Sequence, residues 1–167
     1  MDIRKSILAI LFCISLFHLA AEEPVWQSSQ GKLPYGARWI GMEEKLSSGK
    51  VLQMGICRGL YNDVVYPGRY SQMKCSIGYD GKEILLEKFE VLMHKNSVRF
   101  VKLRNFKSNL AIPAGGELSD ISYICISKFR NNWYPGRLQE NACRFGYNGD
   151  EIKSTISVHV LVSSNQP

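Results

Sequence analysis

The sequence has few of the residues on which catalytic and metal sites are usually built. Its 167 residues include three histidines and five cysteines. No two cysteines have the close Cys-x-x-Cys spacing of a zinc site, and His94 and His159 are isolated, with no paired ligand spacing. The chain also contains no Gly-x-Ser-x-Gly, no glycine-rich phosphate loop and no His-Glu-x-x-His. We therefore expect no metal ion, no cofactor and no enzymatic activity.

Beyond residue 21 the sequence lacks any apolar run long enough to span a bilayer, so no transmembrane segment is expected. One shorter run, "ILAILFCISLFHLAA", follows the basic start Met1–Lys5. A charged start, a short apolar stretch and small residues at its end are typical of a secretory signal peptide. We assign residues 1–20 to that peptide, with cleavage after Ala20 or Ala21; an uncleaved N-terminal anchor is the alternative. The mature protein is then expected to be soluble, secreted and extracellular.

A strong charge of either sign is also lacking, because the formal net charge is +6 and the cations are spread along the chain. The densest basic stretch is "VRFVKLRNFK", residues 98–107. Its cations alternate loosely with apolar residues, which favours the solvated face of a strand; contact with an anionic surface is the alternative. No basic helix or aromatic binding signature occurs, so nucleic acid is not an expected partner.

No segment shows a sustained period of 3.6 residues, whereas several alternate with period two. In "EIKSTISVHVLV", residues 151–162, apolar side chains including Ile156 share one face, which predicts one half-buried strand. The stretch "EILLEKFEVLM", residues 83–93, gives the same pattern less cleanly. We therefore expect an all-β fold.

One motif is written twice in the chain. "YPGRYSQMKCSIGYDGKE" begins at residue 66, and "YPGRLQENACRFGYNGDE" begins 68 positions later. The Asp-Gly and Asn-Gly steps, at residues 80–81 and 148–149, predict two-residue hairpin turns. The Pro-Gly steps, at residues 67–68 and 135–136, are interpreted as loops, because proline cannot donate to a ladder and glycine tolerates a positive φ.

The doubled motif predicts two tandem copies that form one antiparallel β domain with a pseudo-twofold axis. We divide the chain into an N-terminal lead-in (21–32), a first repeat (33–95), a connecting strand (96–111) and a second repeat (112–163). Residues 43–50, "EEKLSSGK", are interpreted as an exposed loop of the first repeat.

Four cysteines remain after the signal peptide, and an even count in an exported protein favours disulfides. Four cysteines allow three connectivities, and the 68-residue offset does not choose among them. Proximity in sequence favours Cys57–Cys75 and Cys125–Cys143, each spaced by eighteen residues. Four buried free thiols are the alternative.

The order of these residues resembles the DM9 repeat, also called the DUF3421 domain, in two copies over about residues 33–163. The resembling parts are the Pro-Gly-basic step, the Gly-x-Glu hairpin and the closing "EVL"; the second copy ends "HVLV" and has a shorter leading loop. The resemblance implies a small β protein, and some members are secreted mannose-binding lectins. The implied function is a non-catalytic lectin for mannose-type glycans, acting in pattern recognition or agglutination. The alternative is a secreted interaction or structural protein that binds protein or lipid surfaces, as an accessory domain of natterin-type toxins would.

In the lectin members, an acidic residue after the leading proline and the basic residue after Pro-Gly hold the sugar. The resemblance carries these roles to Glu43 and Arg69 in the first copy, and to Arg137 with Glu117 or Asp120 in the second. Arginine stands where those lectins have lysine, and its planar fork meets a hydroxyl pair differently from an ammonium. The alternative is that both arginines are surface residues beside necessary turns.

Two aromatic residues precede the Pro-Gly steps, Tyr66 and Trp133, and each could stack on the apolar face of a sugar ring. The alternative is that each packs against the proline of its own motif. A homodimer is a further expectation.

Overall fold

The computed structural model describes residues 24–32, 34, 41–46, 48–93, 97–117 and 120–164. The predicted signal peptide and its cleavage site lie outside the described residues. Within them, no helix has the length and apolar character needed to cross a membrane. Fourteen strands are present: β1 (Trp26–Ser29), β2 (Gly41–Lys45), β3 (Val51–Tyr61), β4 (Val64–Ser71), β5 (Lys74–Tyr79), β6 (Lys82–Leu86), β7 (Phe89–Leu92), β8 (Val98–Lys102), β9 (Pro113–Glu117), β10 (Asp120–Phe129), β11 (Asn132–Gln139), β12 (Ala142–Tyr147), β13 (Asp150–Ser154) and β14 (His159–Ser163).

All of these strands belong to one antiparallel sheet, which confirms the all-β prediction. The order is β1-β7-β3-β4-β5-β6-β13-β12-β11-β10-β14-β8, with β2 paired to β3 and β9 paired to β10. Two short 3₁₀ turns, Leu103–Asn105 and Ser108–Leu110, connect β8 to β9. We call residues 24–93 the first half and residues 97–164 the second half.

The ladders of the two halves have matching registers. Cys57 lies opposite Gly68 in the first half, and Cys125 lies opposite Gly136 in the second. The halves adjoin where β6 pairs with β13, at Lys82 and Asp150. The pseudo-twofold axis itself stays a prediction.

Two-residue turns close the hairpins, as the Asp-Gly and Asn-Gly steps predict. Asp80 and Gly81 have φ of 49° and 77°, and Asn148 and Gly149 have φ of 52° and 92°. Positive φ at both central residues is the hairpin geometry that matches strand twist. Four further turns have the same signature without glycine, so no Asx-Gly step marks them in the sequence: Asn62-Asp63, Gln72-Met73, Arg130-Asn131 and Glu140-Asn141.

The Pro-Gly steps are not loops, so that prediction is wrong. Pro67 and Gly68 lie within β4, and Pro135 and Gly136 lie within β11. The ladder between β4 and β5 begins at Arg69 opposite Ser76, beyond Pro67. Proline therefore occupies a stretch of β4 that is paired to β3 on one edge, where its missing N–H need not cost a ladder bond.

Gly68 and Gly136 are required for close approach rather than for a positive φ. A Cβ on Gly68 would lie 2.2 Å from the carbonyl oxygen of Ser76, and one on Gly136 would lie 2.1 Å from that of Arg144. The disulfide Cys57–Cys75 joins β3 to β5 with Cα atoms 5.8 Å apart. In a flat sheet, residues two strands apart are separated by about 9.5 Å. The sheet therefore curls sharply at β4, where Gly68 has no side chain in the way.

The second disulfide, Cys125–Cys143, makes the same connection from β10 to β12 with Cα atoms 5.7 Å apart. Both pairings favoured by sequence proximity are thus confirmed. All four cysteines are fully buried.

The predicted single strand over residues 151–162 is also wrong. It divides into β13 and β14, with a turn between them in which Ser157 has a φ of 51°. Ile156 lies in that turn and is 65% exposed. Residues 83–93 likewise divide into β6 and β7, and Glu43 and Glu44 of the predicted loop lie in β2.

Among the described residues, the buried side chains form three clusters. One surrounds Ile56, Ile124 and Leu161 between the two halves; a second lies in the first half around Cys57 and Ile77. The third lies mainly in the second half around Tyr134 and Phe145, and it includes Met54 of the first half. The halves therefore share a core, and residues of one half complete the packing of the other.

Candidate functional site

Two of the grooves formed by the described residues lie beside the turns that follow the Pro-Gly-Arg steps, one at each turn. Groove one has a volume of about 460 Å³ and is lined by residues that include Arg69, Lys74, Ser76, Glu83, Leu52 and Leu85. Groove two has a volume of about 450 Å³ and is lined by residues that include Arg137, Asp120, Ser122, Gln139, Glu140 and Asn141. Both predicted basic residues therefore lie in concave surfaces of ligand size.

Neither arginine is a freely exposed surface residue. The Arg69 side chain is 12% exposed, and its Nη2 lies 3.5 Å from Glu83 Oε1. The Arg137 side chain is 13% exposed, and its Nη2 lies 3.6 Å from Glu151 Oε1. Each arginine is thus paired with the glutamate of its own Gly-x-Glu hairpin.

The arginines also contact aromatic rings across the two halves. The Arg69 guanidinium lies 5.4 Å from the ring centre of Tyr134, and the Arg137 guanidinium lies 5.0 Å from that of Tyr66. A guanidinium at these distances is attracted to the negative ring face. The Tyr-Pro-Gly-Arg motif of each half is therefore completed by the tyrosine of the other.

The side chains of the two glutamates also connect the halves. Glu83 accepts hydrogen bonds from the Ser76 hydroxyl and, at 2.8 Å, from the backbone N–H of Gly149. Glu151 accepts from the backbone N–H of Gly81 at 3.1 Å. Each carboxylate thus binds the turn of the opposite hairpin, which explains why the Gly-x-Glu step occurs twice. The doubling was visible in the sequence, but the exchange of partners was not.

Glu43 lies away from Arg69. Glu43 lies opposite Gln53 in the β2–β3 ladder, and it accepts a hydrogen bond from the Gln53 side-chain amide at 3.2 Å. Arg69 Nη1 donates instead to the sulfur of Met54 at 3.9 Å. Successive residues of a strand point to opposite faces of the sheet, so Gln53 and Met54 lie on opposite faces. Glu43 bonds to Gln53 and Arg69 bonds to Met54, so Glu43 and Arg69 also lie on opposite faces. A joint sugar contact by this pair stays a prediction, and the structure does not bring the two side chains together.

The acidic candidates of the second half lie near Arg137. Glu117 and Asp120 are directly opposite each other in the β9–β10 ladder, and both are exposed. Burial raises the pKa of Tyr66 above its ordinary value, and Tyr79, Glu117 and Asp120 raise it further, whereas Arg137 lowers it. The two carboxylates, Tyr66 and Arg137 therefore share one electrostatic environment.

The two grooves differ in the carboxylates they offer to a ligand. The Glu83 side chain in groove one is 9% exposed and is engaged by Ser76, Gly149 and Arg69. In groove two, Lys153 and Arg144 hydrogen-bond to Glu140 and lower its pKa. Asp120 is exposed, and among the described residues no hydrogen bond or ion pair of its side chain is seen.

The two candidate stacking residues have protein partners already. The Tyr66 ring packs edge-on against Tyr79, at 5.4 Å between ring centres, and beneath Arg137. The Trp133 ring packs edge-on against His159, at 5.1 Å. Contact of either ring with a sugar stays a prediction. Among the described residues, no three histidine, cysteine, aspartate or glutamate side chains are grouped so that they could hold a metal ion.

A family model described as the DM9 repeat matches residues 49–154, which include both arginines, both Gly-x-Glu steps and all four disulfide cysteines. The chain belongs to the DM9 repeat family. Among solved structures, this DM9 chain is similar to the nematode sperm cell motility protein MFP2B, with 14% identity and a TM-score of 0.57. The alignment covers 87% of this chain and 46% of MFP2B, so the chain spans about half of that protein's length. At this identity the likeness concerns the fold alone. No curated protein sequence matches the chain.

Proposed function

We propose that this DM9 protein is an exported, non-catalytic carbohydrate-binding protein, with groove two as its principal site for mannose-type glycans. The observation that carries the proposal is the placement of Arg137 and the exposed Asp120 in one groove. A sugar hydroxyl both donates and accepts, so a carboxylate beside a guanidinium can bind a pair of adjacent hydroxyls.

Tyr66 and Glu151 support this role by fixing Arg137. The ring of Tyr66 and the carboxylate of Glu151 lie on the guanidinium from two sides, so few rotamers remain open to it. A side chain already ordered in the free protein loses less entropy when it binds a ligand. The proposed site is therefore pre-organised at its basic residue and open at its acidic one.

Groove one is a second and weaker site in this proposal. Its walls are Arg69 and Lys74, with leucines at residues 52 and 85, and its one carboxylate is engaged. We further propose that the two halves are copies of one unit related by a pseudo-twofold axis, so the two grooves are related sites. Two weak sites on one domain raise avidity for a glycan-bearing surface without new contacts.

The test is a comparison of Asp120→Asn with the wild-type mature protein on a glycan array and in titration with mannose. Loss of the charge-assisted bond is expected to weaken binding by about 1.5–3 kcal/mol. The matched control is Asp63→Asn, because Asp63 is an exposed acid in the β3–β4 turn, away from both grooves. Equal binding by wild type and Asp120→Asn would remove groove two from the proposal. If the protein binds no glycan on the array, the alternative function, an interaction protein, is favoured.

A further inference from the structure

Two exposed lysines and two half-buried rings lie together on four neighbouring strands of the second half, at some distance along β11 from groove two. Trp133 of β11 lies opposite Lys128 of β10, and His159 of β14 lies opposite Ile126 of β10 and Lys102 of β8. Directly opposed residues share a face, as do residues two apart on one strand. We call Lys102, Lys128, Trp133 and His159 the basic patch.

The centre of the basic patch is held in place by contacts within the protein. His159 Nδ1 lies 2.8 Å from the carbonyl oxygen of Ser157 and must donate to it, since a carbonyl only accepts. The Trp133 ring packs on the other side of the imidazole. Lys102 and Lys128 flank this pair and are both exposed.

An apolar side chain adjoins the patch. The β13–β14 turn follows the end of β10, where the carbonyl oxygen of Ile156 accepts from the N–H of Lys128 at 3.3 Å. A second bond to the same carbonyl comes from the Ser127 hydroxyl at 2.6 Å. Ile156 itself is 65% exposed, the highest value among the exposed large hydrophobic residues described. The turn thus presents an apolar tip beside Lys128.

The two lysines of the patch have no neutralising carboxylate among the described residues. Lys102 and Lys128 both lack an ion pair within the part of the chain that the structure describes, although such pairs occur elsewhere in it. The matching ladder position in the first half is filled differently. There Arg58 lies opposite Glu90 and bonds to it at 2.6 Å, and Arg58 also covers the Trp26 ring at 4.3 Å. The first half thus has a cation paired with a carboxylate at this position, whereas the second half has Ile126 opposite His159 and no carboxylate there.

We propose that the basic patch and Ile156 dock the protein on an anionic phospholipid membrane. Lysines of the patch bind headgroup phosphates and carboxylates, while Ile156 enters the boundary between headgroups and acyl chains. Cations beside an exposed apolar side chain match the charge and polarity of an anionic membrane surface. A sulfated polysaccharide would match the charge but would leave Ile156 without a partner.

The test is co-sedimentation of the mature protein with vesicles of phosphatidylcholine alone or mixed with phosphatidylserine. We expect binding to the mixed vesicles only, weakening as salt is raised. Lys102→Gln with Lys128→Gln should lower the partition coefficient about thirtyfold, from about fivefold for each lysine near an anionic surface. The control pair is Lys50→Gln with Lys88→Gln, which removes the same charge from exposed positions of the first half. Ile156→Ser should also lower the partition coefficient, and this loss of vesicle binding should persist at low salt.

Three results would overturn the proposal. Equal binding to both vesicle types would show that charge does not direct the contact. An equal loss in the control pair would show that net charge acts rather than the patch. The third result is that the protein binds a sulfated polysaccharide such as heparin but no vesicles, and that the Lys102 and Lys128 variant binds the polysaccharide less. That result would assign the patch to a soluble polyanion instead. All variants change exposed side chains, and far-UV circular dichroism would verify that each is folded.

Discussion

At the scale of single residues, the guanidinium of the arginine after each Pro-Gly step contacts two groups of the protein, a carboxylate and an aromatic ring. Arg69 lies against Glu83 and over Tyr134, and Arg137 lies against Glu151 and over Tyr66. Both side chains are more than four-fifths buried. The interpretation of these arginines as surface residues beside turns is therefore wrong, and their removal will affect stability as well as any ligand contact.

Arg69→Ala is expected to lower the free energy of unfolding by about 1.5–3 kcal/mol, the range for hydrogen bonds to charged groups. The physical reason is that Glu83, 9% exposed at its side chain, would lose its cation while remaining buried. The measurement is urea unfolding of the protein. Lys74→Ala is the control, because the Lys74–Glu87 pair is largely exposed and contributes about 0–1 kcal/mol at most. Equal losses in the two variants would contradict the account.

At the scale of the strand, substitution is expected to be costly at the glycine of β4 and of β11, because each lies close to the backbone of the neighbouring strand. The neighbouring carbonyl oxygens, of Ser76 and Arg144, occupy the space that a side chain at Gly68 or Gly136 would need. These atoms belong to backbone and cannot rotate away. The curl of the sheet, and with it the approach of the bridged cysteines, depends on these two positions.

Gly68→Ala and Gly136→Ala should each destabilise the protein by about 1–3 kcal/mol or prevent its folding, because the added methyl group would overpack the crossing. Gly49→Ala is the comparison. Gly49 has a φ of +80° and no atom within 4 Å of the place a methyl group would take, so its substitution costs only backbone strain of about 1–2 kcal/mol. Thermal unfolding of the three variants would measure the difference. A smaller loss at Gly68 than at Gly49 would contradict the close-approach explanation.

Local patterns predicted the elements better than their breaks. Alternation in residues 151–162 correctly indicates strand, but it cannot show that the turn around Ser157 interrupts it, because that turn lacks glycine and proline. The Asp-Gly and Asn-Gly turns were predictable since their residues tolerate positive φ, whereas the Gln72-Met73 turn was not. Pro67-Gly68 misled for a related reason: turn chemistry and close backbone approach require the same residues. The exchange between Glu83 and Gly149 depends on tertiary packing, which no local pattern contains.

At the scale of the whole molecule, the repeated motif connects the halves as much as it shapes each one. Backbone bonds run from Glu83 N–H to the carbonyl of Gly149 at 2.9 Å and from Glu151 N–H to that of Gly81 at 3.1 Å. The side chains of the same glutamates bind the same turns. Because the motif occurs twice in the sequence, each hairpin has the partner that satisfies its turn, which a single motif would not supply.

The two exchanged glutamates should be energetically coupled. Glu83→Gln and Glu151→Gln are each expected to lower the free energy of unfolding by about 1.5–3 kcal/mol, since the arginines lose their counter-charge. In a double-mutant cycle, the combined loss should depart from the sum by more than about 0.5 kcal/mol. The control cycle combines Glu83→Gln with Glu87→Gln, because the Glu87 side chain is 82% exposed. Additive losses in the first cycle would show that the two turns are independent.

Binding of a neutral sugar in groove two through Arg137 and Asp120, as we propose, can be measured by calorimetric titration of the protein with mannose, glucose and galactose. We expect saturable heat with mannose at millimolar concentration or below, abolished or strongly weakened in Asp120→Asn and retained in Asp63→Asn. Heat from none of the three sugars at millimolar concentration would contradict the account, as would mannose binding unchanged by Asp120→Asn.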